Sequence, residues 1–286
     1  MKTAFSAFLA IGFLLMAGCG ESQLEKRARL EEENTAAESL TLEQRAVAGD
    51  AVAQYRLGLM YYDGEGVEQN FKDAAEWFRK AADQGYAYAQ YNLGLMYGFG
   101  RGVEKNDKEV VKWFRKAADQ GYAEAQYNLG QRYLRGEGVE KNNKEAMKWY
   151  RKSAEQGIAL AQYNLGVMYD TGAGVPKDDK EAAKWFRKAA DQGDAKSQYN
   201  LGVSYARGEG VPKDIVTAYA WWDISAANGQ EKAKKFKDLA AKEFTVEEIS
   251  KADALVKEMV KKNISKADAL VKEMVKKNPK LIQEKK

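Results

Sequence analysis

The chain has 286 residues, with 46 Lys+Arg against 42 Asp+Glu and a formal net charge of +4. Charges so nearly balanced and interleaved form a solvated helical surface rather than a field that pulls on a polyanion, so no nucleic-acid partner is expected. There is no histidine and only one cysteine, which removes the commonest general base and metal ligand, an internal disulfide and any thiolate metal cluster. No catalytic residue, metal site or cofactor is expected.

Residues 1–18 read as a cleaved secretion signal. Lys2 carries the positive charge, and the apolar run from Ala4 to Ala17 is too short to span a bilayer. The run ends in Leu15-Met16-Ala17-Gly18-Cys19-Gly20. This resembles the lipobox of bacterial lipoproteins, with Met16 where that motif usually has Leu, Ile or Val. The resemblance implies a lipid on Cys19, which becomes the first residue, and a protein anchored to a bacterial membrane and facing the periplasm. By resemblance to enterobacterial sorting rules, Gly20 in place of Asp implies the outer membrane. An ordinary cleaved signal that happens to contain a cysteine is the alternative. Residues 19–38 are polar, with the charged stretch Glu25 to Glu33 and little apolar periodicity, so they read as a tether. Residues 39–49 align with the end of a helix and should form an N-terminal cap.

The central part of the chain is a five-fold internal repeat. The segment Gln-Tyr-(Asn/Arg)-Leu-Gly begins at Gln54, Gln90, Gln126, Gln162 and Gln198, in steps of 36 residues. A fixed period in this range marks a stacked repeat array. The units are 50–85, 86–121, 122–157, 158–193 and 194–229. In the third unit, Ala125, Leu129 and Tyr133 recur at i, i+4 and i+8, one apolar face of a helix A. Gly136-Glu137-Gly138-Val139 breaks it. Helix B comes next, with Asn142 as N-cap and Glu145 three residues on, a capping-box arrangement repeated as Asn70/Asp73, Asn106/Glu109 and Asp178/Glu181. Tryptophans at 77, 113, 149, 185 and 221 keep the same period. One indole per unit reads most simply as a wedge between helix pairs, with ligand stacking as the alternative.

These residues together, Ala-x-x-x-Leu-Gly-x-x-Tyr, then Gly-x-Gly-Val, then Ala-x-x-Trp and Ala-x-x-Gly, resemble the Sel-one-like repeat, a branch of the tetratricopeptide superfamily. The resemblance covers Asp50 to Gly229. It implies an all-α fold, a right-handed α-solenoid with a concave face lined by the A helices, protein–protein binding and no chemistry of its own. A disulfide-stapled branch carries cysteines in each repeat. This chain lacks them, so packing alone must hold its core.

Residues 230–262 read as C-terminal capping helices, with Thr245 and Glu248 as another capping box. Ile249–Asn263 and Ile264–Asn278 are identical. The second copy, in the extension 263–286, either continues as an exposed helix or breaks near Asn263 and folds back. As a function it suggests self-association or docking through 264–278; the plain alternative is a neutral duplication.

A candidate partner surface lies on helix A. Tyr55, Leu59 and Tyr62 project away from the core positions Ala53, Leu57 and Tyr61. The first of these is tyrosine in every unit: Tyr55, Tyr91, Tyr127, Tyr163 and Tyr199. Its neighbours vary, which suits a groove gripping a protein segment; packing against the next helix A is the alternative. The ladder Asn92, Asn128, Asn164 and Asn200 reads both ways too, as amides for a bound backbone or as bridges between helices. On helix B, the pairs Arg79-Lys80, Arg115-Lys116, Arg151-Lys152 and Arg187-Lys188 read as a solvated outer face balanced by Asp83, Asp119, Glu155 and Asp191; a basic convex stripe meeting anionic lipid or polysaccharide is the alternative. The expected function is a membrane-anchored scaffold of the bacterial envelope, not an enzyme. A module binding peptidoglycan or exported polysaccharide is the alternative.

Overall fold

The computed structural model describes residues 41–277, with side chains placed for residues 41–262. Cys19, the signal segment and the tether lie outside the described residues. Thirteen helices and no strand occur within them. α1 (Leu42–Val47) caps the array. The repeats then run as A/B pairs: α2 (Ala51–Asp63) with α3 (Phe71–Asp83), α4 (Ala87–Phe99) with α5 (Asp107–Asp119), and α6 (Ala123–Arg135) with α7 (Asn143–Glu155). α8 (Ala159–Thr171) with α9 (Asp179–Ala190), and α10 (Ala195–Arg207) with α11 (Ile215–Ala227), complete them. α12 (Glu231–Ala241) and α13 (Val246–Lys277) close the far end. Each helix from α1 to α11 packs on the next in chain order, so the five pairs stack into an α-solenoid; α13 returns onto α11.

The five-residue repeat motif divides its labour by position. Leucine is core: Leu93, Leu129, Leu165 and Leu201 are fully buried. Glycine lets the aromatic ring of the same repeat's helix B lie on the backbone, since a Cβ on Gly94 would stand 2.7 Å from Phe114 and one on Gly166 would stand 2.6 Å from Phe186. Glutamine is a buried connector. Gln126 Nε2 donates to the Ala118 carbonyl at 3.0 Å, and its Oε1 accepts from Gln156 Nε2 at 2.8 Å. The same relay recurs with Gln54 and Gln84, Gln90 and Gln120, Gln162 and Gln192, and Gln198 and Asn228. Each relay holds the last turn of one helix, the next helix A and the next helix B. A buried amide must find such partners or lose the hydrogen bonds water gave it.

The helix-B caps differ from the expected capping box. Asn106 Oδ1 accepts from the amides of Lys108 and Glu109, as the sequence indicates. The reciprocal half is replaced: the Asn106 N–H donates to the Tyr97 carbonyl at 3.1 Å, and Asn142 and Asp178 donate likewise to Tyr133 and Tyr169. The acid at the third helical position is therefore released to its own helix, where Glu109 meets Lys112 at 3.0 Å and also accepts from Trp113 Nε1. The tight A–B loop permits this by folding the cap back onto helix A. Gly136 ends α6 at φ 74°, and Gly138, at φ 71°, lies so close to the Asp107 carbonyl of the preceding repeat that no Cβ fits. The box at Thr245 and Glu248 is complete, with bonds of 2.9 and 3.3 Å.

The tryptophans are wedges. Trp113, Trp149, Trp185 and Trp221 are buried in the core, while Trp77 is half-buried against Ala46, Ala53 and Leu57. The arginines expected on the solvated outer face are not simply solvated. Arg79 Nη2 donates to Tyr97 Oη at 2.7 Å, and Arg115, Arg151 and Arg187 bond Tyr133, Tyr169 and Tyr205 in the same way. Each ties helix B to the next helix A. The stem of a guanidinium can lie on apolar surface while its head finds an acceptor, so the arginine reaches inward to a phenol. The C-terminal duplication forms one helix that runs unbroken through Asn263 to Lys277.

Candidate partner-binding face

The tyrosine ladder runs along the A helices, half-buried in every repeat. It is fastened by the asparagine ladder of the following repeat: Asn92 Nδ2 donates to Tyr55 Oη at 3.3 Å, and Asn128 Nδ2 to Tyr91 Oη at 3.0 Å. Tyr127 accepts from Gln131 in its own helix and is also near the Asn164 amide. Three of the predicted pairs thus meet across repeat junctions, Tyr55 with Asn92, Tyr91 with Asn128 and Tyr127 with Asn164, which fixes those rings. Desolvation pushes the phenols of Tyr55, Tyr91, Tyr127 and Tyr163 above the ordinary tyrosine range.

The ladder is not uniform. At its C-terminal end Tyr199 leaves the face: its ring packs edge-on against Phe236 of α12 at 5.5 Å, and its carbonyl accepts from Trp222 Nε1 at 3.3 Å. Asn200 is half-buried beside it. Between repeats three and five the face opens into a recess of about 400 Å³. Tyr127, Gln131, Leu134 and Arg135 come from α6, Leu160, Tyr163 and Asn164 from α8, and Asp194, Ala195 and Lys196 from the start of α10. Tyr150 of α7 forms the floor. Asp194 Oδ1 is engaged as N-cap to the Ser197 amide at 2.7 Å, leaving Lys196 and Arg135 as exposed cations at the rim. The recess therefore offers aromatic faces, two side-chain amides and charge of both signs. That mixture suits a polypeptide side chain with its backbone amides.

Between repeats one and three the same face is aromatic. Tyr86 and Tyr122, the N-caps of α4 and α6, and Tyr88 in the first turn of α4 join Tyr55 and Tyr91. The sequence pattern singles out the ladder but not Tyr86, Tyr88, Tyr122, Arg135, Asp194 or Lys196. Their signal is present as variation: the N-cap and second positions of helix A read Asp50/Val52, Tyr86/Tyr88, Tyr122/Glu124, Ile158/Leu160 and Asp194/Lys196. The core leucine, glycine and glutamine of the repeat motif keep their identity from repeat to repeat, and these positions do not.

The Sel1 repeat model matches residues 51–86, 87–122, 123–158, 159–194 and 195–230. The chain belongs to the Sel1 repeat family. Two solved Sel1-type structures are similar to it. One is a protective antigen of uropathogenic Escherichia coli strains displaying an SLR fold, 37% identical, with a TM-score of 0.70 over 81% of this chain. This chain spans only 50% of that antigen. The other is a Sel1 repeat protein from Oxalobacter formigenes, 40% identical, with a TM-score of 0.64 over 74% of this chain and 86% of that one. No curated protein matches the chain significantly. Sel1 repeat proteins are scaffolds for protein–protein interaction, generally without catalysis of their own.

Proposed function

We propose that this Sel1 repeat protein is a non-catalytic adaptor of the bacterial cell envelope, anchored to the membrane through lipidated Cys19, that grips a segment of a protein partner along its A-helix face. The recess built from Tyr127, Gln131, Tyr163 and Asn164 carries the reading, because three successive repeats contribute to it and the polar groups converge. A partner side chain entering it keeps amide partners on two sides. The anchoring half of the reading rests on the sequence around Cys19. Among the described residues no helix is long and apolar enough to cross a membrane.

Photo-crosslinking residues placed singly at Tyr91, Tyr127 and Tyr163 test the face, with exposed Lys116 and Lys152 on the B helices as controls. A discrete protein adduct at the tyrosine sites and none at the lysines is the expected outcome. Adducts only at the lysines would move the interface to the B helices, and capture of cell-wall glycan instead would replace the protein partner. Cys19→Ser should release the protein from the membrane fraction; unchanged fractionation would remove the anchor from the proposal.

A further inference from the structure

Five tyrosines at the junctions of repeats one to three form a continuous ring cluster. Tyr55 lies 5.1 Å from Tyr86 and 6.1 Å from Tyr88; Tyr86 and Tyr88 are 5.5 Å apart. Tyr122 then lies 5.0 Å from Tyr88 and 5.1 Å from Tyr91. Tyr88 is 48% exposed, so the cluster is open to solvent at its centre. The hydrogen bonds from Asn92 and Asn128 hold the two ladder rings in place beneath it.

Elsewhere the chain supplies its own cations to its aromatic faces. Lys80, Lys116, Lys152 and Lys188 lie 3.7, 4.3, 4.4 and 4.0 Å from the ring centres of Trp77, Trp113, Trp149 and Trp185. Arg79, Arg115, Arg151 and Arg187 lie against Tyr97, Tyr133, Tyr169 and Tyr205. Among the described residues no Lys or Arg lies over any of the five clustered tyrosines. The charges that reach these phenols are instead acidic: Glu124 beside Tyr91 and Tyr122, and Asp63 toward Tyr55.

The repeat itself provides an internal template for what belongs there. The position held by Tyr88 in the second repeat is held by Lys196 in the fifth, 108 residues on. Lys196 Nζ sits 5.9 Å from the ring of Tyr163, the ladder tyrosine of the repeat before. Tyr88 sits 6.1 Å from Tyr55, the ladder tyrosine of its own preceding repeat. At one junction the frame carries a cation against the ladder ring; at the other it carries a further ring and leaves the cation out.

We propose that the cluster of Tyr55, Tyr86, Tyr88, Tyr91 and Tyr122 is the seat for an arginine or lysine side chain of the protein partner, which rests on the A-helix face being the binding face. Ring faces attract a cation electrostatically, and the carboxylate of Glu124 adds to the pull. The start of α4 beneath the cluster opposes a cation through its helix dipole; Glu124, in the first turn of α6, offsets the same effect there. An extended partner segment would then place a basic residue on the tyrosines and further side chains toward the recess.

The test uses the full chain with ring-labelled tyrosine, titrated by NMR with N-acetyl-arginine methylamide and with the isosteric, uncharged citrulline derivative. Saturable shifts in the rings of Tyr88 and Tyr122 with arginine only are expected. Tyr88→Leu and Glu124→Gln should each weaken that binding by roughly 3- to 10-fold, while both variants keep the wild-type helical circular dichroism. Equal shifts from citrulline, or none from arginine, would overturn the cation seat. The outcome separates from that of the binding face itself. A partner crosslinked at Tyr91 whose affinity survives conversion of its basic residues to glutamine keeps the face and removes the seat. Absence of any adduct along the A helices removes the face.

Discussion

At the residue scale, the buried glutamine relay and the glycine–ring contacts are the parts of the repeat least open to change. Gln126 is 3% exposed and holds two partners from different helices. Gln126→Leu fills the volume but removes two hydrogen bonds, its own to the Ala118 carbonyl, which keeps the Gly121 N–H, and that from Gln156 Nε2, which keeps the Gly121 carbonyl, so a loss of roughly 1–3 kcal/mol is expected. Gly166→Ala drives a methyl into the Phe186 ring and should cost roughly 1–3 kcal/mol by overpacking. Urea unfolding checks both: the midpoint should fall with the slope unchanged, and midpoints within error of wild type would refute the assignments. The phenols give a pH dependence of definite sign. Burial raises the folded-state values of Tyr55, Tyr91, Tyr122, Tyr127 and Tyr150 above the unfolded value of about 10. The unfolded chain therefore loses its phenolic protons first. The stability that these tyrosines contribute is complete below about pH 10 and declines as pH rises through the higher folded values. The tyrosinate absorbance of the folded protein should accordingly appear at higher pH than in urea, and coincident curves would contradict the burial.

At the element scale, helix identity, length and order were legible because the 36-residue period, the caps and the Gly-x-Gly turns all act locally. What the sequence could not deliver was partnership across junctions. Nothing in Gln126 itself announces a bond to Ala118 and another to Gln156, and Arg115 next to Lys116 looks like one more charged pair until Tyr133 is found beneath it. The same limit applied to the site. The ladder tyrosines were visible as a constant column, whereas Tyr88 and Lys196 gain meaning only when two repeats are superposed in space. The long terminal helix is a case where local reading left two outcomes. α13 continues through Asn263, and the side chains that cap the core, Ala252, Val256 and Met259, all belong to its first 15-residue copy. Deleting residues 264–286 should therefore leave the melting temperature within about 2 °C of the full chain. Ala252→Arg, which puts a charge into a fully buried position, should lower it by several degrees. A large loss on deletion would mean that the second copy contributes to the folded array.

At the scale of the whole molecule, the extensive packing between repeats joins each unit to its immediate neighbours. Stability is then close to a sum of unit and interface contributions. That makes an unusual prediction about length. Deleting residues 123–158, one full period, joins Tyr122 to Ala159 and rebuilds a junction from parts already used elsewhere: Gln162 replaces Gln126 beneath the Ala118 carbonyl, and Gly166 with Phe186 replaces Gly130 with Tyr150. The shortened chain should fold, keep its helical signal per residue and unfold at a moderately lower temperature. Deleting residues 123–140, half a period, leaves helix B without its helix A and breaks the relay at Gln126, so it should lose cooperative unfolding altogether. Circular dichroism melts of the two deletions compare them directly, and a full-period deletion that melts without a cooperative transition would show that the units depend on more than their neighbours. The same variant also reports on function. It retains the five clustered tyrosines but loses Glu124 from beside them, and Tyr127, Gln131 and Arg135 from the recess. A folded protein that takes the arginine derivative as well as the Glu124→Gln variant does, yet no longer holds its partner, would place affinity in the recess and charge recognition in the rings, as the division of the A-helix face into an aromatic and a mixed-charge half requires.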